Sequence, residues 1–236
     1  MNLGFVCATH CEAKAIFKEL DNIPHYKKNG FLFYEIKYNQ KNKGNIIICI
    51  SGVGPINATK CCATLIGQFH IDHIVNFGTC GAINSKLKSG CIVIPNHLLF
   101  IGRQSQVVAE MKFQNNARGL FNRQSAVSVW PIGLTGWEGT LATCSSFVSS
   151  VEKQKIVTMD IDAVDMEAFA LAFTCNNNNT PLSMYKIVVD STQSTINTIG
   201  NYLQLQAEIL ERYTDKLHAL IRSICNCDIN IGCNGV

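Results

Sequence analysis

Short apolar runs alternate along the chain with longer stretches in which apolar residues recur every three or four positions. That alternation predicts strands interleaved with helices. Leu3 to Ala8 is a continuous apolar run and predicts a buried strand, followed by a helix over Glu12 to Leu20. Phe31 to Lys37 and Asn45 to Ile50 predict two strands around a Lys/Asn/Gly turn. Ser51-Gly52-Val53-Gly54 predicts a tight loop, and Pro55, whose missing N–H suits a first helical turn, opens a helix to about Phe69. His73 to Phe77 and Cys91 to Ile94 predict further strands with a glycine-bearing loop between them. Pro95 closes the second, because it cannot donate to a ladder.

Leu141 to Thr143 predicts another strand, and Ala163 to Cys175 a helix with Val164, Ala168, Leu171 and Ala172 on one face. After the polar turn Asn176 to Asn179, Leu182 to Val189 predicts a strand. Leu203, Ala207, Leu210, Leu217 and Ile221 share one face of a final helix over Tyr202 to Ser223. The stretch His97 to Glu138, rich in Gln, Asn and Gly, has the weakest pattern and is read as containing an active-site loop. The whole predicts one α/β domain over residues 1–224, with a frayed tail over 225–236.

Composition narrows the function classes. Of the 236 residues, 47% are hydrophobic and 16% charged, enough to bury a substantial core. The formal charge is only +3 and no long basic run exists, so nucleic acid is not an expected partner. No apolar stretch approaches the ~20 residues of a membrane span. The run Leu3 to Ala8 is too short for a signal peptide and leads into His10 and Glu12, so a cytoplasmic location is expected. Twelve cysteines sit mostly in or beside apolar runs, no Cys-x-x-Cys pair exists, and the six histidines do not fall at ligand spacing with them. No metal and no cofactor are expected, and free thiols suit a reducing compartment.

Four features could carry chemistry, and each has an ordinary structural explanation too. Glu12 follows the first strand at a helix start, where the dipole favours a carboxylate. It suits a base that activates water, or a simple helix-start charge. Asn76-Phe77-Gly78-Thr79-Cys80-Gly81-Ala82 follows a buried strand, where α/β sheets bind ligands; it is also readable as a tight turn. Val164-Asp165-Met166-Glu167-Ala168 opens a helix, so its acids either face a ligand or complement the dipole. Asp190 ends the apolar strand Ile187-Val188-Val189, where burial would help it hold a proton, or where it caps a turn.

In their order these segments resemble the motifs of the nucleoside phosphorylase superfamily, and within it the methylthioadenosine/S-adenosylhomocysteine nucleosidases. The resemblance rests on Leu3 to Glu12, Ser51 to Gly54, Asn76 to Ala82, Leu87 to Val93, Asp165-Met166-Glu167-Ala168 and Val189-Asp190, and spans roughly residues 1–96 and 139–222. It implies a three-layer α/β/α fold with a central mixed twisted sheet, a purine nucleoside substrate and a homodimer. It also implies roles. Asp190 protonates purine N7, and Glu12 activates the attacking water. Met166 and Glu167 clamp the ribose, with Glu167 on the 2′- and 3′-hydroxyls. Thr79 stands for a loop serine near the nucleophile. Phe147 stacks on the base, and Val53 lies near the ribose and its 5′ substituent. Lys186 stands for an arginine four residues before the acid.

The chain departs from that pattern at Thr9, where the family has methionine, and in a shorter 97–138 segment without the Tyr-His-Asp run expected after Val93. The family builds its 5′ pocket there, so the 5′ group stays open. Phosphorylases of the superfamily carry an arginine where this chain has Asn76, and the loop Cys7 to Cys11 has none, which favours water over phosphate as nucleophile. A nucleoside-binding protein without catalysis and a cysteine-rich metal protein are the remaining readings.

Overall fold

The computed structural model describes residues 2–38, 44–102, 106–113, 136–191 and 196–225. Its centre is β1 (Leu3–Cys7), buried along its whole length and paired in parallel with β4 (Gly44–Ile50) and β5 (His73–Ala82). Side chains alternate across a strand, so each strand feeds two cores. Leu3, Phe5, Cys7, Ile46 and Ile48 pack on one face with α1 (His10–Ile16) and α5 (Ile199–Cys225). Val6, Ile47 and Cys49 pack on the other with α2 (Pro55–Phe69) and α4 (Ala168–Asn177). The result is the expected α/β domain, with helices on both faces of a mixed sheet.

The sheet has two parts. A hairpin, β2 (His25–Lys28) and β3 (Phe31–Tyr38), extends it outward from β4. On the other side β5 pairs with both β9 (Ala163–Asp165) and β10 (Leu182–Asp190). From β10 the pairing continues through β6 (Ile92–Ile101) and β8 (Gly136–Cys144) back to β9, closing a ring; β7 (Val107–Lys112) flanks β6. The described residues also include α3 (Ser150–Ile156) and a single 3-10 turn at Leu20–Asn22.

Several expectations change. The segment Asn76 to Ala82 is strand, the second half of β5, and not a loop. Its glycines make room: a Cβ on Gly81 would lie 2.6 Å from Asp190 Oδ1, and one on Gly78 3.0 Å from Lys186 Nζ. Pro95 does not end β6. It sits at a register shift between Pro95 and His97, a bulge that dispenses with its N–H. The helix expected from Ala163 starts at Ala168, because Ala163–Asp165 pair with β5 and β8. The helix expected over Glu12 to Leu20 ends at Ile16 and starts earlier, at His10, set by a capping box between Thr9 and Glu12.

Leu203 and Ala207 are exposed, so the buried stripe of α5 runs instead through Gln206, Ile209, Leu210, Leu217, Leu220 and Ile221. Part of the stretch read as a loop, His97 to Glu138, is strand in β6, β7 and β8; residues 103–105 and 114–135 lie outside the described residues, as does the tail 226–236. Cys7, Cys11, Cys49, Cys61, Cys62, Cys80, Cys144 and Cys175 are free thiols. Among the described residues no helix is long and apolar enough to cross a membrane.

Candidate active site

A cavity, partly open to solvent, forms where β1, β5, β8, β9 and β10 end and α1 and α5 begin. Glu12, Val53, Thr79, Phe147, Met166, Glu167 and Asp190 all line it. These residues, read as separate candidates, therefore form one site. Lys186 is not in the lining. It lies beneath, fully buried, with Nζ 2.9 Å from Asp165 Oδ2.

Glu12 reaches the cavity floor because Thr9 caps α1. The Glu12 N–H donates to Thr9 Oγ1 (3.2 Å), and the carboxylate turns back to accept from the backbone N–H groups of Ala8 (2.8 Å) and Thr9 (3.0 Å) on Oε2. The other oxygen, Oε1, accepts from Thr79 N (2.9 Å) and Thr79 Oγ1 (2.8 Å), with Gln206 Nε2 at 3.3 Å. Glu12 thus closes the capping box at the helix start and also lines the cavity. Thr79 Oγ1 also accepts from Tyr202 Oη (3.1 Å) and Gln206 Nε2 (2.7 Å), so α5 is fastened to the Glu12 end of the cavity.

Glu167 stands in the turn between β9 and α4, and its Oε1 accepts the Gly54 N–H at 2.7 Å. Gly54 has φ of +101°, which lets the Ser51–Gly54 loop turn its N–H inward ahead of Pro55. Burial, reinforced by the nearby charges of Asp165 and Glu12, pushes the Glu167 carboxyl up to about 7, while Lys186 and the Gly54 N–H pull it down. Asp165 is structural. Its Oδ1 accepts from Thr143 Oγ1 (2.7 Å) and its Oδ2 from Ala168 N (2.9 Å), which starts α4. Burial opposes the charge of Lys186, but Asp165, Glu167 and Glu12 outweigh it and hold the ammonium above its usual value.

Asp190 occupies the opposite wall. It is 2% exposed, its Oδ2 takes an ion pair from Lys153 of α3, and its Oδ1 has no hydrogen-bond partner among the described residues. Burial raises its carboxyl above the usual aspartate range, and Lys153 works against that rise. Phe147 follows β8 and meets Tyr202 edge-on, with ring centroids 5.4 Å apart, an aromatic wall beside Asp190 suited to a flat base. Four buried carboxylates, Glu12, Asp165, Glu167 and Asp190, thus face two ammonium groups, Lys153 and Lys186.

Sequence reasoning missed Lys153, Tyr202 and Gln206. Two signals were available. Ser149 and Glu152 are spaced as a capping box, which announces α3, with Lys153 the next residue along it. Gln206 falls on the buried stripe of α5, where a polar residue needs a partner.

A carboxylate-lined cavity at the strand ends of a mixed, partly closed sheet defines an α/β protein built for a small polar ligand with a flat moiety. The chain belongs to the phosphorylase superfamily, whose family model matches residues 2–226. It is 24% identical over 212 residues to a 5′-methylthioadenosine/S-adenosylhomocysteine nucleosidase of Buchnera aphidicola, covering 85% of this chain and 81% of that one. A Staphylococcus aureus protein of the same description is 31% identical over 157 residues, 61% of this chain and 68% of the relative. Among solved structures, the Helicobacter pylori nucleosidase of that kind superposes with a TM-score of 0.74 at 19% identity, covering 96% of this chain and 98% of that one. The futalosine hydrolase of the same organism superposes equally, at 0.74 and 18% identity, over 96% and 97%.

Proposed function

We propose that this protein is a nucleosidase that hydrolyses the N-glycosidic bond of a 5′-substituted adenosine, releasing adenine and a free pentose. The observation that carries the reading is the meeting of Glu12, Glu167 and Asp190 around one cavity, with Asp190 Oδ1 buried and without a partner among the described residues, and burial raising its carboxyl toward the protonated form. Asp190 donates a proton to N7 as the C1′–N9 bond breaks, so the base leaves neutral. Glu167 accepts hydrogen bonds from the 2′- and 3′-hydroxyls and Met166 packs on the ribose. Water is drawn to the Glu12 end, whose carboxylate takes its proton as the C1′–O bond forms. The similarity to curated nucleosidases over most of the chain supports the same reaction.

A phosphorylase of the same superfamily is the second reading. Against it, the Asn76 side chain donates 2.9 Å to Val6 O and does not line the cavity, and the cavity's one lysine is committed to Asp190. No arginine lines the cavity among the described residues. A homodimer and a cytoplasmic location belong to the same proposal, supported by the family and the free thiols. The test is a panel of methylthioadenosine, S-adenosylhomocysteine, 5′-deoxyadenosine, adenosine, inosine and futalosine, each with and without phosphate. Phosphate-independent release of adenine from the 5′-substituted adenosines is expected. Turnover only with phosphate would promote the second reading, and no turnover of any would leave a binding protein.

A further inference from the structure

Lys153 is a buried cation that the reaction outlined above does not use. It is 5% exposed and lines the cavity, and Asp190 is its ion-pair partner among the described residues. Its position is built. Ser149 caps α3, accepting the Glu152 N–H while Glu152 Oε2 accepts from the Ser149 N–H at 2.8 Å. The next residue, Ser150, donates twice to Ile196 O, from N (3.0 Å) and Oγ (2.9 Å), tying α3 to the segment that follows β10. Opposite, Gly81 leaves the space in which the pair sits, since a Cβ there would lie 2.7 Å from Lys153 Nζ and 2.6 Å from Asp190 Oδ1. Three elements thus cooperate to set one ammonium against one oxygen of the carboxyl.

We propose that Lys153 is a positioning residue for the leaving-group acid, a role that rests on the nucleosidase reading. By occupying Asp190 Oδ2 it leaves Oδ1, which has no partner among the described residues, to bear the proton, and it stabilises the carboxylate left when that proton has gone. The step balances: the Oδ1–H bond breaks, N7–H forms, the C1′–N9 electron pair stays on the purine, and Asp190 ends as an anion beside an ammonium. The titratable groups close enough to act on the charge of Asp190 are Lys153 from α3, Cys80 on β5 and Tyr202 from α5. The Cys80 thiol and the Tyr202 hydroxyl are both pushed up, chiefly by burial, and so are neutral near pH 7. Lys153 therefore supplies the opposing charge. An opposite charge at contact lowers a carboxyl by roughly one to three pH units, and a lower value makes Asp190 the stronger acid.

The experiment compares the wild type with Lys153→Met, which keeps length and removes charge, and Lys153→Arg, which keeps charge. For each, kcat/KM is followed against pH on methylthioadenosine and on a nucleoside with an activated leaving group. The ¹³C carboxyl resonance of Asp190 is titrated in parallel. In Lys153→Met the basic limb of kcat/KM and the Asp190 titration should both move up by about one pH unit or more. kcat on methylthioadenosine should fall on the order of tenfold, part of what an acid supplies, with a smaller loss on the activated substrate. Lys153→Arg should restore limb and rate. An unmoved limb and titration, or an equal loss on both substrates, would overturn the proposal and leave Lys153 a packing residue. If Lys153→Met does not fold, a limb in Lys153→Arg displaced as far as the charge-free case requires would overturn it equally. Purine release by the wild type with an unmoved Lys153→Met limb defeats this inference alone; no release by the wild type defeats the nucleosidase reading, and this role with it.

Discussion

Glu12 holds the start of α1 together, and in the proposed reaction it is also the base. Three backbone N–H groups, from Ala8, Thr9 and Thr79, end on its two oxygens. A glutamine has only one acceptor oxygen and turns an NH2 toward at least one of those donors. Glu12→Gln is therefore expected to lose most turnover and also to be less stable, by roughly 1–3 kcal/mol, the usual penalty for a buried unpaired donor. Parallel kcat and denaturation measurements check this. Lost activity at unchanged stability would mean that the cap tolerates the amide, and full activity would remove Glu12 as the base. Glu167 gives a pH prediction. Its carboxyl is pushed up to about 7, so it is an anion above that value and gains a proton as pH falls through it. A protonated carboxyl cannot accept from both ribose hydroxyls with full strength. KM for a ribonucleoside should rise as pH drops below about 7, and that of its 2′-deoxy analogue should rise less. Parallel curves for the two would place Glu167 away from the 2′-hydroxyl.

At the scale of elements, the strands and helices with clean periodicity were legible, and those whose shape depends on a distant partner were not. β1, β4, α2 and β10 lie close to where the apolar pattern puts them, because each buries an unbroken apolar stretch. The second half of β5 reads as a loop from its glycines, which local sequence associates with turns; their reason is the space taken by Asp190, Lys153 and Lys186 across the sheet. The hairpin β2–β3 carried a usable signal, Asn29-Gly30 with both φ positive, but the four residues of β2 are exposed and lack apolar alternation. At the site, the carboxylates were legible because each ends a strand or opens a helix. The α5 partners were not, since contacts such as Gln206 to Thr79 join residues 127 positions apart. The role of glycine in β5 is testable. Gly81→Ala should displace the Asp190–Lys153 pair and cut kcat about tenfold or more, with a stability loss of roughly 1–3 kcal/mol from overpacking. Unchanged kcat would show that the pair moves aside without consequence.

For the molecule as a whole, the sheet divides the labour. The parallel strands β1, β4, β5 and β10 give a rigid platform between two helical layers, and the ring closed by β6, β8 and β9 brings Phe147, Glu167 and Asp190 to one rim. Val53 is 41% exposed and the neighbouring Ile56 84%, so the rim beside the ribose end presents apolar groups outward. This agrees with the proposed homodimer; a monomeric mass at micromolar concentration in sedimentation would count against it. The central claim, however, is chemical: water, delivered at the Glu12 end while Asp190 protonates the base, is the nucleophile at C1′. The most direct measurement is turnover of methylthioadenosine in ¹⁸O-enriched water containing phosphate, followed by mass analysis of the sugar. The account predicts a free pentose carrying the label at its C1 hydroxyl, in amounts equal to the adenine released. A pentose 1-phosphate without label would contradict it.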